Sequence, residues 1–226
     1  MSSYTRQILE NWLKTIDVKA DRVLDIGGSQ NSIKGRTKSW DVKDYKILDL
    51  EEPHECKQKP DIVCDLNEKI YDWKIIGHNG LPLDEPGCCN DDPTDVLINE
   101  IPKYKSKKIF EKELYDISFC LEVSEYLYNP LQVLKNINYF LKKGGILYIS
   151  FHFIYPVHNP VDQDYLRYTP KGVEKLLQEA GFKIDEMYPR KAMANLYGYY
   201  ANEKMRPAKD YYKHDWTGCL VKAIKL

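Results

Sequence analysis

Apolar runs of strand length recur along the chain and alternate with stretches of helical periodicity. The runs are short and rich in valine, isoleucine, phenylalanine and tyrosine, which is typical of buried strands. Predicted strands cover residues 22–28 with their closing glycines, 45–50, 61–64, 115–121, 146–150, 182–188 and 217–224.

Three stretches carry apolar residues at the spacing of an amphipathic helix, and the helices are predicted over 4–18, 130–141 and 170–180. Gly144 and Gly145 follow two lysines and predict the end of the second helix. Thr169 and Pro170 predict the N-cap and the first residue of the third. The alternation predicts an α/β fold with a Rossmann-like, doubly wound and mostly parallel sheet that carries helices on both faces.

The length of 226 residues suits one domain with a substantial core. We therefore expect a single domain over 1–226. The strand and helix pattern breaks over 69–113, where proline, glycine, asparagine and aspartate are frequent, and we predict an insertion there. Regions 151–168 and 189–216 are predicted to line or cover the substrate.

Charge is balanced, with 33 lysines and arginines against 34 acidic residues. Such a chain has no overall field that would attract nucleic acid, and we expect no nucleic-acid partner. A basic run over 103–108 is predicted to be a solvated surface. No apolar stretch is long enough to span a bilayer, so we expect no membrane insertion and a cytoplasmic protein.

The six cysteines show no spacing typical of a zinc site, and no metal is predicted. Cys64 and Cys120 lie in predicted buried strands, where a reduced thiol behaves as a small apolar group. Cys88 and Cys89 are adjacent, and adjacent cysteines rarely form a disulfide without strain, so we interpret them as reduced loop residues.

The first strand ends in the segment Asp25-Ile26-Gly27-Gly28. Glycines after a strand allow a ligand to approach the backbone closely. An aspartate at this place repels a pyrophosphate but suits a cationic amino-acid group. The segment therefore favours a positively charged ligand over a dinucleotide.

This segment resembles the first motif of the class I S-adenosylmethionine (SAM) dependent methyltransferases, with Gly27 at its first glycine. Ser29 and Asn31 stand where the second and third glycines are usual. The fourth strand and the residues that follow it, 115–127, resemble a second segment of this family. Tyr126 stands where the family usually has a histidine. The resemblance covers 22–68 and 114–182, is closest to the small type 11 and type 23 methyltransferase domains, and implies SAM as cofactor and an antiparallel edge strand at the C-terminus.

Acids at the ends of the next two strands have roles in this family. Asp49 can accept both ribose hydroxyls, a requirement shared with dinucleotide folds. The resemblance nominates Asp65 for the exocyclic amine of adenine and the backbone of Leu66 for the ring. The candidate cofactor residues are Asp25, Gly27, Gly28, Ser29, Asp49, Leu50, Asp65, Leu66, Cys120, Leu121 and Glu122.

The segment after the fifth strand is predicted to bind substrate, because ligands of open α/β sheets lie beyond the carboxyl ends of the strands. His152 and His158 are candidate general bases, since imidazole accepts a proton near neutral pH. A histidine in an aromatic strand is also often structural. Candidate substrate residues are Tyr126, Asp164, Arg167 and Tyr168, although Asp164 and Arg167 could equally pair with each other.

These observations predict a SAM-dependent methyltransferase that acts on a small polar acceptor such as a sugar hydroxyl. Two alternatives stay open. One is a non-catalytic protein with the same fold that acts as a partner subunit. The other is a nicotinamide-dependent oxidoreductase, although residues 27–32 lack the Gly-x-Gly-x-x-Gly pattern that such an enzyme needs.

Overall fold

A computed structural model describes residues 4–70, 110–191 and 216–226. The helices are α1 (Tyr4–Leu13), α2 (Pro130–Phe140) and α3 (Pro170–Glu179), and a 3-10 turn spans Ser124–Tyr126. The strands are β1 (Asp17–Ile26), β2 (Ser39–Asp49), β3 (Ile62–Val63), β4 (Tyr115–Cys120), β5 (Leu141–His152), β6 (Phe182–Lys191) and β7 (Trp216–Lys225).

The strands form one seven-stranded sheet in the order β3-β2-β1-β4-β5-β7-β6. β1 pairs in parallel with β2 and β4, β2 with β3, and β4 with β5. β7 runs antiparallel between β5 and β6. The predicted fold class, including the antiparallel strand near the edge, is confirmed. Parallel pairing brings the carboxyl ends of β1 to β5 to one edge of the sheet.

Each face of the sheet carries its own apolar cluster, because successive strand residues point to opposite faces. In β1, Val23 belongs to the cluster beneath α1 and Leu24 to the cluster beneath α2 and α3. In β5, Tyr148 packs on the α1 side, whereas Leu147 packs on the other side. Helices therefore lie on both faces, as predicted.

The start of α3 follows the predicted signals, whereas the end of α2 does not. The Thr169 side chain accepts a hydrogen bond from the Gly172 N–H at 3.1 Å, and Pro170 is the first helical residue. α2 ends at Phe140, and the chain enters β5 at once. The C-cap is Leu141 in an extended conformation, so the prediction that Gly144 and Gly145 end this helix is wrong. Both glycines lie inside β5, where Gly144 has φ +75° at the register shift between β4 and β5.

The first connection differs from the prediction. α1 ends at Leu13 rather than at residue 18, and β1 begins at Asp17, because its first residues pair with the start of β2 from Asp17↔Ser39 onward. Residues 27–38 join β1 to β2 by turns, and they contain no helix. The simple alternation of strands and helices is therefore wrong at this crossover.

Several predictions concern residues outside the described ranges. These are most of the insertion, the basic run over 103–108, Cys88 and Cys89, and most of the region over 189–216. The division of the chain into one domain with an insertion stays a prediction. No helix in the described ranges is long and apolar enough to cross a membrane.

Candidate functional site

A cavity opens at the sheet edge where the carboxyl ends of β1, β2, β3 and β4 meet. It lies where ligands bind in open α/β sheets. Its lining residues come from the ends of these strands and from the loops that follow them: Ile26, Gly27, Gln30, Leu48, Asp49, Leu50, Pro53, His54, Glu55, Cys64, Asp65, Leu66, Asn67, Glu122, Val123, Tyr126, Leu127, Pro160 and Gln163.

Gly27 begins the loop that forms one wall of the cavity. Its φ is +74°, which L-residues with a side chain rarely adopt, and its N–H donates to the Leu48 carbonyl at 2.9 Å. A Cβ at this position would lie 2.4 Å from Cγ2 of the neighbouring Val123. Both the backbone conformation and the space therefore require glycine here.

Asp25 lies beneath this loop and is 4% exposed. Its Oδ2 accepts hydrogen bonds from the Tyr45 hydroxyl at 2.6 Å and the Ile33 N–H at 2.8 Å. A Cβ on Gly28 would lie 2.5 Å from the same oxygen, so the second glycine makes room for the carboxylate. Burial raises the pKa of Asp25 to about 6, against the lowering effect of these hydrogen bonds.

Asp49 lines the cavity and also accepts a hydrogen bond from the glycine loop after β1. Its Oδ2 accepts from the Ser29 N–H at 3.2 Å, and its Oδ1 accepts from the Leu50 N–H at 2.9 Å. The Ser29 carbonyl accepts in turn from the N–H groups of Lys57 and Gln58 at 3.0 and 3.1 Å. The first glycine loop and the loop after β2 are thereby joined.

Asp65 and Leu66 follow β3, which pairs with the end of β2 at Asp49↔Val63. Oδ1 of Asp65 accepts from the backbone and side-chain nitrogens of Asn67 at 2.9 and 3.0 Å, which fixes the carboxylate in an exposed position. No described residue donates to its Oδ2. Leu66 is 4% exposed and gives the cavity an apolar surface.

The lining is acidic. Four carboxylates, from Asp49, Glu55, Asp65 and Glu122, line the cavity, and no lysine or arginine does so within the described ranges. Glu122 is neutralised by an arginine, whereas Asp65 lines the cavity and has no ion pair with any lysine or arginine of the described ranges. The cavity therefore favours a cationic ligand and disfavours a phosphate.

Glu122 begins a buried chain of charged groups that runs away from the cavity. Its carboxylate is paired with the Arg190 guanidinium, with contacts of 2.6 and 3.1 Å. Nε2 of His152 lies 3.5 Å from Glu122 and 3.2 Å from Oε1 of Glu125. Arg190 is 1% exposed and also donates to the Thr5 carbonyl at 3.1 Å, which connects the chain of charges to α1.

These contacts set the protonation of His152. Burial alone would lower the pKa of its imidazole, but the hydrogen bonds and charges of Glu122 and Glu125 outweigh burial and raise that pKa to about 9. Burial acts to raise the pKa of each glutamate, and the neighbouring cations hold both values below their usual range. His152 is therefore a cation near neutral pH, and a cation cannot accept a proton.

The chain continues from Glu125 to the loop after β5. Nε2 of His158 lies 3.6 Å from Oε1 of Glu125 and 2.9 Å from the hydroxyl oxygen of Tyr126. Nδ1 of His158 lies 3.1 Å from Oδ2 of Asp164. The Arg167 guanidinium binds both oxygens of Asp164 and holds the pKa of this carboxyl at about 2.

Arg167 and Tyr168 are occupied within the protein. The five N–H donors of Arg167 all have acceptors, namely Asp164 and the carbonyls of Tyr155, Pro156 and Leu166. Tyr168 is 5% exposed, and its hydroxyl donates to the Ser124 carbonyl at 2.8 Å. In this geometry both residues hold the loop after β5 in place.

The predicted site residues fall into two groups. Those that line the cavity are Gly27, Asp49, Leu50, Asp65, Leu66, Glu122 and Tyr126. Those that do not line it are Asp25, Gly28, Ser29, Cys120, Leu121, His152, His158, Asp164, Arg167 and Tyr168. Cys120 is fully buried in the apolar cluster beneath α2 and α3. The assignments to cofactor and substrate stay predictions.

Three important residues are absent from the predicted set. Glu125 is 1% exposed and bridges the two histidines, and it lies in the segment 115–127 whose resemblance to the family is given above. The Tyr45 hydroxyl donates to Asp25. The sequence indicates this residue only through its position in a strand in which apolar and polar residues alternate. Arg190 comes from the far strand β6, and nothing local in the sequence points to its partner Glu122.

Comparisons with known proteins agree with this geometry. No protein-family model matches the sequence, and no curated protein matches it. Many solved structures are similar in fold. A Bacillus halodurans C-125 protein, provisionally described as a methyltransferase, shares 14% identity at a TM-score of 0.53, and the match covers 96% of this chain and 97% of that one.

Two further structures show how widely the fold is used. A SAM-dependent methyltransferase from Mesorhizobium loti has 12% identity and a TM-score of 0.51, with 98% of each chain covered. The [4+2]-cyclase SpnF has 15% identity and a TM-score of 0.50, with 96% of this chain and 80% of that one covered. The strand order, the cavity and these likenesses together show that the chain has the class I SAM-dependent methyltransferase fold.

Proposed function

We propose that this protein binds SAM in the cavity at the carboxyl edge of β1 to β4 and transfers its methyl group to a small polar acceptor. The observation that carries this proposal is the acidic lining of the cavity, with four carboxylates and no lysine or arginine among the described lining residues. SAM carries a sulfonium and an ammonium group, so this lining attracts it.

The same lining argues against a nicotinamide cofactor. A dinucleotide needs a site for its pyrophosphate, usually a glycine-rich turn at the N-terminus of a helix. Residues 27–38 contain no helix, and Asp49 and Glu55 lie close to the glycine loop. A pyrophosphate placed there would meet carboxylates and no helix N-terminus.

The lining residues suit the separate parts of SAM. Asp49 is placed to accept from the ribose hydroxyls. Oδ2 of Asp65, to which no described residue donates, is placed to accept from the exocyclic amine of adenine. Leu50 and Leu66 supply apolar surface for the ring. When bound, SAM supplies an electrophilic methyl group, so the protein chiefly has to align an acceptor and exclude water.

The acceptor side is formed by the loop after β5 and the 3-10 turn. Tyr126 and Gln163 supply polar groups, and Pro160 and Leu127 supply apolar surface. This composition supports a small polar acceptor, such as a sugar hydroxyl, and O-methylation.

Calorimetric titration tests the cofactor. We expect the purified protein to bind SAM and S-adenosylhomocysteine with micromolar affinity and not to bind NAD. Asp65→Asn should weaken binding at least tenfold, because it replaces the free acceptor oxygen with a donor. Glu51→Gln is the matched control, since Glu51 is an exposed acid beside the cavity that does not line it.

The result also separates the alternatives. Tight binding of NAD in place of SAM would overturn the proposal in favour of an oxidoreductase. Absence of binding by all three ligands would indicate a non-catalytic protein. SpnF, a cyclase with the same fold, shows why binding alone is not enough, and formation of S-adenosylhomocysteine with candidate acceptors is the second measurement.

A further inference from the structure

Tyr126 stands between the cavity and a histidine. It lines the cavity, its hydroxyl oxygen lies 2.9 Å from Nε2 of His158, and the same hydroxyl is within donating distance of the Asn159 carbonyl at 3.0 Å, so the two acceptors share its proton when Nε2 is unprotonated. A phenol hydroxyl can donate one proton and accept another at the same time. Tyr126 is therefore placed to pass a proton from the cavity to His158.

The other side of the imidazole is fixed by Asp164. The side chain of Asp164 is fully buried, and its Oδ2 lies 3.1 Å from Nδ1 and 3.0 Å from the backbone nitrogen of His158. An ionised carboxylate accepts hydrogen bonds only, so Nδ1 carries the proton when His158 is neutral. The Nε2 lone pair then points to Tyr126.

The second histidine does not fit this role. His152 is buried, does not line the cavity, and is held as a cation between Glu122 and Glu125. The side chain of His158 is 33% exposed, so it can release a proton to solvent. The geometry thus distinguishes between two histidines that the sequence alone nominates equally as general bases.

We propose that Tyr126 and His158 form a proton relay for a hydroxyl acceptor, with Asp164 as the positioning residue. This inference rests on the proposed function. As the acceptor oxygen bonds to the methyl carbon, the electrons of the carbon–sulfur bond stay with sulfur. The acceptor proton passes to the oxygen of Tyr126, the phenol proton passes to Nε2 of His158, and His158 ends as an imidazolium.

Groups on every side of His158 affect its titration. Glu125 and Asp164 face it as carboxylates, Arg167 acts through Asp164, and the rings of Tyr155 and His152 lie 5.3 and 6.1 Å from its own. The nearby carboxylates, Glu125 first, raise the pKa of His158 and make it a stronger base. Since His158 must be neutral to accept the proton, the relay needs a higher pH than one built on an ordinary histidine would need.

The direction of the Tyr126–His158 hydrogen bond provides the test. We would titrate the histidines of the ¹⁵N-labelled full chain by NMR, with His158→Gln to assign the signal. In the wild type the neutral ring should carry its proton on Nδ1. Tyr126→Phe removes a hydrogen bond to the neutral form, so the pKa of His158 should rise.

The matched control is Tyr128→Phe, because Tyr128 is 54% exposed, lies two residues further along the chain and is not part of the cavity lining. It should leave the pKa of His158 unchanged. A neutral ring protonated on Nε2, or a lower or unchanged pKa in Tyr126→Phe, would overturn the relay.

Calorimetry with S-adenosylhomocysteine separates the two proposals. Tyr126→Phe should bind this ligand within twofold of the wild type, because the phenol acts on the acceptor side. If neither protein binds it, the proposed function fails, whatever the histidine titration shows. If both bind and the titration contradicts the expectation, only the relay fails.

Discussion

Gly27 and Gly28 meet different spatial needs at adjacent positions. Gly27 adopts a positive φ and leaves room for the neighbouring side chain of Val123, whereas Gly28 leaves room for the carboxylate of Asp25 beneath the loop. The sequence could predict a glycine turn at the end of β1. It could not predict that Asp25 turns away from the cavity, because its partners Tyr45 and Ile33 come from other parts of the chain.

Replacing Gly27 should damage the cavity more than replacing another glycine with positive φ. Gly27→Ala forces a left-handed alanine, at a cost of about 1–2 kcal/mol, and places its Cβ against Val123. We expect lower stability and at least tenfold weaker SAM binding, measured by urea unfolding and calorimetry. Gly35→Ala, at φ +87° with open space around it, should lower stability but leave binding within threefold. Equal loss of binding in both variants would contradict this.

Asp25→Asn should make the protein more stable at neutral pH. An amide oxygen can accept the same two hydrogen bonds, and the buried charge disappears. The pKa of Asp25 is raised from 3.8 to about 6, so its ionisation opposes folding. The penalty is absent below about pH 4, grows as the pH rises to 6, and amounts to about 3 kcal/mol above that value.

Urea unfolding at pH 4 and pH 7.5 measures this. The free energy of unfolding of the variant should exceed that of the wild type only at the higher pH. SAM titration of the same variant tests whether Asp25 also contributes to the cofactor site, since weaker binding in a stable variant would indicate a direct effect of the charge. A variant that is less stable at pH 7.5 would show that the carboxylate is needed for the loop.

At the scale of elements, the buried charges join parts of the fold that are far apart in sequence. Glu122 follows β4, His152 ends β5, and Arg190 lies near the end of β6 and reaches the start of α1. Hydrophobic periodicity predicts each element from its own residues, so it predicted the strands well. It contains no information on which charged ends will meet, and for this reason Arg190 and Glu125 were not predicted.

Removing Arg190 should be severe. Arg190→Met keeps much of the volume but leaves Glu122 partly buried without its guanidinium, and the loss of one partner of a buried pair costs about 3–5 kcal/mol. Arg22→Met is the control, because Arg22 is 42% exposed and lies 3.8 Å from Asp44. We expect the control to change the free energy of unfolding by less than about 0.5 kcal/mol. If Arg190→Met lowers the free energy of unfolding as little as the control does, the buried charges add little to stability.

At the scale of the whole molecule, the fold class is the most predictable property. Seven apolar runs and three amphipathic stretches predicted a mostly parallel sheet with helices on both faces, and the resemblance to the methyltransferases implied the antiparallel strand near the C-terminus. The apolar spacing of the N-terminal segment extends the predicted helix to residue 18, although Val18 and Ala20 alternate with polar residues as in a strand. The absence of a helix over 27–38 could not be predicted, because a short connection has too few residues to show a hydrophobic periodicity.

The stability of the whole fold should fall at alkaline pH. The pKa of His152 is raised from 6.5 to about 9, so its contribution is fully present below pH 6.5 and is lost as the pH rises through 9. The loss should amount to about 3 kcal/mol. Urea unfolding at pH 6.5, 8 and 9.5 measures it. His152→Gln should be less stable at pH 6.5 and show a smaller decline, and an equal decline in both proteins would contradict this origin.

The helix-free connection has a consequence for local opening. The glycine loop is held by contacts with the loop after β2, from Lys57 and Gln58 to Ser29 and from Gln30 to Glu55. Segments held by mutual hydrogen bonds tend to open together as one cooperative unit. The amides of Lys57 and Gln58 should therefore exchange with deuterium at the same rate as each other. A ligand that touches only the cavity should slow both, so that a loop distant in sequence reports when the cavity is filled.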